Sequence, residues 1–177
     1  MPAERFVAQL NDQIANEFAA HQQYLAAAVY FDRLTMPQLA GFFYHQATVQ
    51  RGHAMMMIKF LADQDAAVVV PGVEAPTTDF DSVVGPIELV LEQERRVTDQ
   101  INLLTRIARE EGDFAAEAFV QWFTKQQVDA VITMSDLQTV ARRSTNDPEA
   151  IEAYIWREQT PREHPQHRPG EDGSVPA

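Results

Sequence analysis

The sequence has 177 residues, no cysteine and a formal net charge of −12 at pH 7. A chain of this length can bury one continuous core but falls short of two ordinary domains. The negative charge argues against nucleic-acid phosphate as a partner, and the lack of cysteine excludes disulfides, iron–sulfur ligation and thiol nucleophiles. No stretch reaches about 18 apolar residues and no secretory signal opens the chain, so we expect a cytoplasmic protein that does not enter the membrane.

The first half of the chain predicts two long helices followed by a long connection. The first helix is expected over residues 3–33, and Pro37 suits the first turn of a second helix that continues to Gln64. Residues 65–82 contain two prolines and have no helical period. A connection of this length inside a helical domain normally runs from one end of the bundle to the other. The second and third helices are therefore predicted to be parallel.

The second half predicts two more long helices joined by a tight turn. The third helix is expected to begin near Pro86 and to end just before Gly112. Gly112 closes that helix, and Asp113 caps the fourth helix, which reaches Arg143.

The end of the chain predicts a short fifth helix and a tail. Asp147 is an N-cap followed by proline at the first helical position, and the helix extends to Trp156 or Glu158. Its apolar residues are expected to pack against symmetry mates and to close a shell: Ile151, Tyr154, Ile155 and Trp156. The domain boundaries that follow are 1–158 for a single helical domain and 159–177 for a polar, proline-rich, disordered tail.

Each long helix has an apolar stripe at helical spacing that polar residues interrupt near its middle. On the first helix the stripe comprises Val7, Leu10, Ile14, Glu17, Tyr24, Ala28 and Phe31. The interrupting residues that line up across the four helices are Glu17, Gln50, His53, Glu94 and Gln127. Taken singly, such residues are more often stripe edges or core groups bonded to a carbonyl. Together they would bury charge without a partner, so the sequence predicts a cation between the helices.

At this point the sequence resembles the non-haem prokaryotic ferritins. The motifs that carry the resemblance are Asn16-Glu17-Phe18, Tyr24, His53, Gln93-Glu94 and Gln121-Trp122-Phe123 followed by Gln127. The segments HQQYLAAAVYFD, MPQLA and EGDF are most similar to actinobacterial ferritins, and the resemblance covers residues 4 to about 158. It implies an all-α, ferritin-like four-helix bundle with a long crossover between the second and third helices and a short fifth helix. It also implies a shell of twenty-four subunits that stores ferric mineral after Fe(II) is oxidised by O2 or peroxide at a di-iron centre.

The resemblance also implies a ligand set for two irons, and this chain departs from it. Glu17 and His53 match ligands of the first iron, while Gln50 occupies the position of the bridging glutamate. Glu94 and Gln127 match at the second iron, but its remaining carboxylate is replaced by Ala130. Two Fe(II) ions bring four positive charges and only two carboxylates remain. A glutamine offers a single neutral oxygen and is a poor bridge.

The sequence therefore predicts a partly degenerate ferroxidase centre. We expect slow or absent oxidation of Fe(II), with metal held mainly at Glu17 and His53 and with Tyr24 orienting the site. No haem is expected, because Arg51 stands where a haem-binding methionine would lie two positions before the histidine. Most of the neighbouring methionines 55–57 are interpreted as ordinary helix packing.

Two functions remain open at this level. In the first, the chain is an iron-storage shell subunit with residual oxidising activity. In the second, it is a structural cage or scaffold subunit that co-assembles with an active ferritin paralogue and does no chemistry itself. As regards the chemistry, the lost carboxylates favour the structural subunit. The fold is compatible with iron storage under either function.

Overall fold

The structure is a computed structural model that describes residues 2–159. Its five helices are α1 (Glu4–Arg33), α2 (Pro37–Asp63), α3 (Val84–Glu110), α4 (Phe114–Arg143) and α5 (Pro148–Gln159). The all-α class and the order of the elements are confirmed. The predicted ends shift by one to three residues. At the start of α3, for example, the helix begins two residues before Pro86, because the first turn of a helix tolerates proline. The predicted tail lies outside the described residues from position 160 onward, while Gln159 belongs to α5.

The turn between α3 and α4 has the conformation that its sequence predicts. Gly112 has a φ of +66°, which glycine adopts without a steric penalty, and its amide N–H donates to the Arg109 carbonyl at 3.1 Å. Asp113 then caps α4, because its side chain accepts a hydrogen bond of 2.9 Å from the Ala116 amide. Two adjacent residues thus end one long helix and begin the next.

The crossover, residues 64–83, runs along the whole of α1. Three contacts join it to successive points on that helix: Asn11 with Ala67, Gln23 with Thr77, and Tyr30 with Phe80. Residue numbers increase in the same direction along α1 and along the crossover, so the two segments are parallel. The crossover therefore carries the chain back from the end of α2 to the opposite end of the bundle. The predicted parallel arrangement of α2 and α3 follows from this path.

A layer of polar side chains divides the bundle core into two apolar clusters. The α5 cluster lies at the end covered by α5 and includes Tyr24, Phe31, Phe43, Leu91, Met134, Ile151 and Ile155. The distal cluster lies at the other end and includes Phe6, Leu10, Ile14, Met57, Leu104, Val120 and Phe123. Between them lies the polar layer, formed by Gln13, Glu17, Gln50, His53, Glu94 and Gln127, all of which are buried. Burial of both apolar clusters fixes the four long helices around this layer.

The fifth helix packs on its own bundle. Ile151 and Ile155 are buried in the α5 cluster and Tyr154 packs against it, whereas Trp156 is 63% exposed. The prediction that these apolar residues face symmetry mates is therefore wrong for the two isoleucines. Their spacing places them on one face of α5, and that face covers the end of the same chain.

A carboxylate of α5 also caps the start of α2. The two oxygens of Glu152 accept hydrogen bonds of 2.8 Å from the amides of Gln38 and Leu39. Met36, at the N-cap position of α2, provides no side-chain cap. Glu152 thus satisfies two otherwise unpaired amides and places a negative charge at the positive end of the helix dipole. Within the described residues, no helix is both long enough and apolar enough to span a membrane.

Candidate metal centre

The five residues predicted to form a site converge in the polar layer. Each long helix contributes at least one of them: Glu17 from α1, Gln50 and His53 from α2, Glu94 from α3, and Gln127 from α4. All five are buried, and the two glutamates are only 1% exposed. The structure thus places all five in one buried layer but joins them in two groups, Glu17 with His53 and Glu94 with Gln50 and Gln127. The hydrogen bonds of the two glutamates differ: both carboxylate oxygens of Glu94 are bonded, whereas only one oxygen of Glu17 is.

Glu94 is fully engaged by neutral donors. The Tyr24 hydroxyl donates to Oε1 at 2.6 Å, and the Gln50 amide donates to the same oxygen at 3.0 Å. The Gln127 amide donates to Oε2 at 2.5 Å and to the Glu94 backbone carbonyl at 2.9 Å. Both carboxylate oxygens are therefore satisfied without a cation.

Glu17 has one oxygen engaged and one oxygen free. The Gln13 amide donates to Oε1 at 2.8 Å. Oε2 is buried and has no hydrogen-bond partner, although it lies 3.4 Å from Nδ1 of His53. The His53 ring is held in place by edge contacts with Trp122 and Phe123, at centroid distances of 5.6 and 5.5 Å. An unpaired, buried carboxylate oxygen facing an imidazole nitrogen is an arrangement that suits a cation.

The positions that depart from the ferritin pattern line a cavity of about 660 Å³ between α2 and α4. Gln50 and His53 lie on its α2 wall, with Ala130 and the exposed Asp129 on its α4 wall. Gln50 turns its amide N–H toward Glu94 and donates to that carboxylate. In the described chain, residues 2–159, no three His, Cys, Asp or Glu side chains gather closely enough to form a metal site.

Burial sets the protonation behaviour of the Glu94 side. Desolvation is the main cause that raises the pKa of Glu94, and the nearby charge of Glu17 adds to it. The hydrogen bonds from Tyr24 and Gln127 lower the pKa of Glu94 and offset part of this effect. Burial, followed by the charge of Glu94, raises the pKa of Tyr24 well above its ordinary value. Tyr24 therefore stays a neutral phenol and acts as the donor in its bond to Glu94.

A pH dependence of stability follows from the raised pKa of Glu94. For an acid whose pKa is raised on folding, the stabilising contribution is complete below its unfolded pKa and is lost as the pH rises through its folded pKa. Without metal, the free energy of unfolding of the parent should fall relative to that of Glu94→Gln, from about pH 4 upward. Denaturant titrations at several pH values in the presence of a chelator measure this difference.

The matched control for this pH experiment is Glu92→Gln, because Glu92 is exposed on the same helix. This variant removes a carboxylate from α3 without touching the polar layer, so it separates the effect of Glu94 from that of losing any carboxylate on this helix. The difference in free energy of unfolding between the parent and Glu94→Gln could instead stay constant, or grow in favour of the parent, as the pH rises. Either result would show that folding does not raise the pKa of Glu94.

Two features of this region were not anticipated from the sequence. Gln13 is completely buried and contacts Glu17, and the only signal for it was its position one helical turn before that glutamate. The methionines also differ from their predicted role. Met57 is buried, but Met55 and Met56 are 46% and 40% exposed, so the packing interpretation is wrong for those two in the described chain.

The four long helices, joined by an end-to-end crossover, form a bundle with carboxylates, an imidazole and amides at its centre. Helical bundles of this architecture build metal and cofactor sites from such inward-facing side chains. The sequence model of the ferritin-like domain matches residues 7–144. The chain belongs to the ferritin family.

Similar proteins support this assignment at several levels of identity. Ferritin BfrB of Mycobacterium tuberculosis (strain CDC 1551) is 46% identical over 157 residues, which cover 89% of this chain and 87% of that protein. Ferritin BfrB of Mycolicibacterium smegmatis is 44% identical, covering 87% and 85%. An open-pore ferritin from Archaeoglobus fulgidus superposes with a TM-score of 0.84 at 30% identity, covering 89% of this chain and 97% of that one. The predicted family and its actinobacterial resemblance are thus confirmed.

Proposed function

We propose that this chain is an iron-storage subunit that assembles into a cytoplasmic shell of twenty-four copies and holds ferric mineral inside it. The five helices, residues 4–159, form the ferritin-like domain of that subunit. Within each bundle, Glu17 and His53 bind one iron, and ferroxidase activity is weak or absent. Membership of the ferritin family supports the storage role.

The unequal bonding of the two carboxylates carries the proposal for the site. Iron bound at Glu17 finds Oε2 free and His53 opposite it. Iron bound at Glu94 must first displace donors from Tyr24, Gln50 and Gln127. Each displaced donor would need another partner in a buried layer, which costs free energy. The first position is therefore the one that fills.

The same bonding accounts for weak oxidation. Paired-metal chemistry with O2 needs two ions close together with shared ligands. Gln50, at the bridging position, presents an N–H to Glu94, and an N–H cannot bind a cation. Tyr24 holds Glu94 in this closed arrangement, and Gln127 closes its other oxygen. The second iron thus lacks both a bridge and an open carboxylate.

The alternative function is a structural cage or scaffold subunit that co-assembles with an active ferritin and does no chemistry. The closed hydrogen bonding of Glu94 favours this alternative as well, because the Glu94 half of the polar layer is satisfied without metal. The two functions differ in one respect. Only the storage subunit binds iron at Glu17 and His53.

Anaerobic titration of the metal-free protein with Fe(II) tests this proposal. The parent should take up one ion per subunit, and Glu17→Gln should weaken that binding by about 100-fold or more, since it removes a ligand rather than a supporting group. Glu94→Gln should change the affinity much less. Light scattering on the same samples should give the mass of a closed shell.

The matched control for the iron titration is Glu92→Gln, an exposed change on the helix that carries Glu94. Two ions of equal affinity bridged through Gln50 would contradict the proposed asymmetry. A parent that binds no Fe(II) at this site but still forms a shell would establish the structural alternative instead.

A further inference from the structure

Gln13 is a buried amide with no place in the family's ligand set as it maps onto this chain. It lies on α1 one turn before Glu17 and is 0% exposed. Its Nε2 donates to Oε1 of Glu17 at 2.8 Å. Its own oxygen accepts from the Asn16 amide at 3.4 Å, which fixes the direction of the Gln13 amide so that its N–H points toward the carboxylate.

This contact determines how Glu17 can meet a cation. With Oε1 engaged by Gln13, only Oε2 is left, and that oxygen is the one facing Nδ1 of His53 at 3.4 Å. A carboxylate held by a hydrogen bond on one oxygen binds metal through the other, whereas a carboxylate without that bond can rotate or bind through both. Glu94 offers no such free oxygen.

We propose that Gln13 is a positioning residue that holds Glu17 as a one-oxygen ligand aimed at His53. This inference rests on the proposed binding of metal at Glu17 and His53. Gln13 itself makes no contact with the ion. A buried amide destabilises the fold unless it is hydrogen-bonded. The bonds of Gln13 to Glu17 and Asn16 offset this cost.

The test uses Co(II) alone as a probe, because its visible absorption reports both affinity and ligand arrangement. In the full chain, Gln13→Leu should weaken Co(II) binding by about 10- to 100-fold and change the visible spectrum. In a Glu17→Gln background, the same change should have no further effect, because Gln13 acts only through Glu17.

The matched control is Gln23→Leu. Gln23 is also a buried glutamine of α1, but its amide bonds the backbone of Thr77 in the crossover, at 2.9 and 3.0 Å. This variant should keep the parent's Co(II) affinity and spectrum. An equal loss of affinity in Gln23→Leu, or an equal effect of Gln13→Leu with and without Glu17, would show that Gln13 acts only through the stability of the helix and would overturn the inference.

A second measurement needs no Gln13 variant to fold. Infrared difference spectra of the parent on Co(II) binding distinguish one-oxygen from two-oxygen carboxylates by the splitting of their two stretching bands, and subtraction of the Glu17→Gln spectrum assigns the Glu17 bands. Two-oxygen binding by Glu17 would overturn the role of Gln13 alone. A parent that binds no Co(II) would instead overturn the proposed metal site, and the role of Gln13 with it.

Discussion

The double variant Gln50→Glu, Ala130→Glu is expected to oxidise Fe(II) at least about 100-fold faster than the parent. The first change returns an anionic bridge in the polar layer, where Gln50 already contacts Glu94. The second places a carboxylate on the α4 wall of the cavity, at a half-buried alanine with open space beside it. Together with Glu17 and Glu94, the site would carry four negative charges, which balance two Fe(II) ions.

Neither single change should restore oxidation, because each leaves one iron without enough anionic ligands. The gain in the double variant should therefore greatly exceed the sum of the single gains, as expected for groups that act as a unit. Without metal, the double variant should be less stable than the parent, because clustered carboxylates repel one another. Stopped-flow oxidation of Fe(II) by O2 on the parent and the three variants measures the rates.

The matched control for restoration is Gln46→Glu. Gln46 lies one turn before Gln50 on α2 and lines the same cavity. Combined with Ala130→Glu, this change adds the same two negative charges as the double variant but leaves the bridging position a glutamine. It should leave the rate at the parent's level. A parent already as fast as the double variant, or a control as fast as the double variant, would mean that missing ligands are not what limits this centre.

Phe43→Ala is expected to lower the free energy of unfolding by about 3 to 5 kcal/mol. Phe43 is fully buried in the α5 cluster, and its ring contacts those of Tyr24, Phe31 and Phe42 at centroid distances of 5.6, 5.0 and 5.4 Å. Its removal leaves a cavity next to the tyrosine that donates to Glu94. Denaturant titration followed by circular dichroism measures the loss.

The comparison variant is Phe119→Ala in the distal cluster. Phe119 stacks on Phe60 at 4.1 Å, but both rings are only half-buried, so water can fill much of the space left behind. Its removal should cost about 1 to 2 kcal/mol. Equal losses in the two variants would contradict the view that the burial of each ring sets the cost of its removal.

The turn between α3 and α4 could be predicted from the sequence because it depends on local chemistry. Gly112 and Asp113 specify a turn by themselves, whatever packs around them. The residues at the edges of the apolar stripes are predicted less accurately. Val7 was assigned to the stripe of α1 but is half-buried, while its neighbour Phe6 is fully buried. The helical period fixes the direction of a face, but the partners on either side decide which of two adjacent residues is covered.

Apart from Gln13, the residues of the polar layer could be selected from the sequence, but their hydrogen bonds could not. Residue type and depth selected Glu17 and Glu94, since buried charge always needs an explanation. Whether each carboxylate is closed or open depends on donors from other turns and other helices, such as Gln13 and Gln50. Side-chain direction across a bundle is a tertiary property. For the same reason, an apolar face on α5 indicated that it would be covered, but not that its own bundle would cover it.

The Glu152 carboxylate joins α5 to the start of α2, so it affects how firmly a protein fused after α5 would be attached. Because α1 begins beside the distal cluster and α5 lies over the opposite end, Glu4 and the last turn of α5 are separated by roughly the length of α1, about 45 Å. A protein fused ahead of Glu4 and another fused after α5 would leave the subunit at opposite ends. Loss of the carboxylate would loosen the attachment of the second fusion and leave that of the first unchanged.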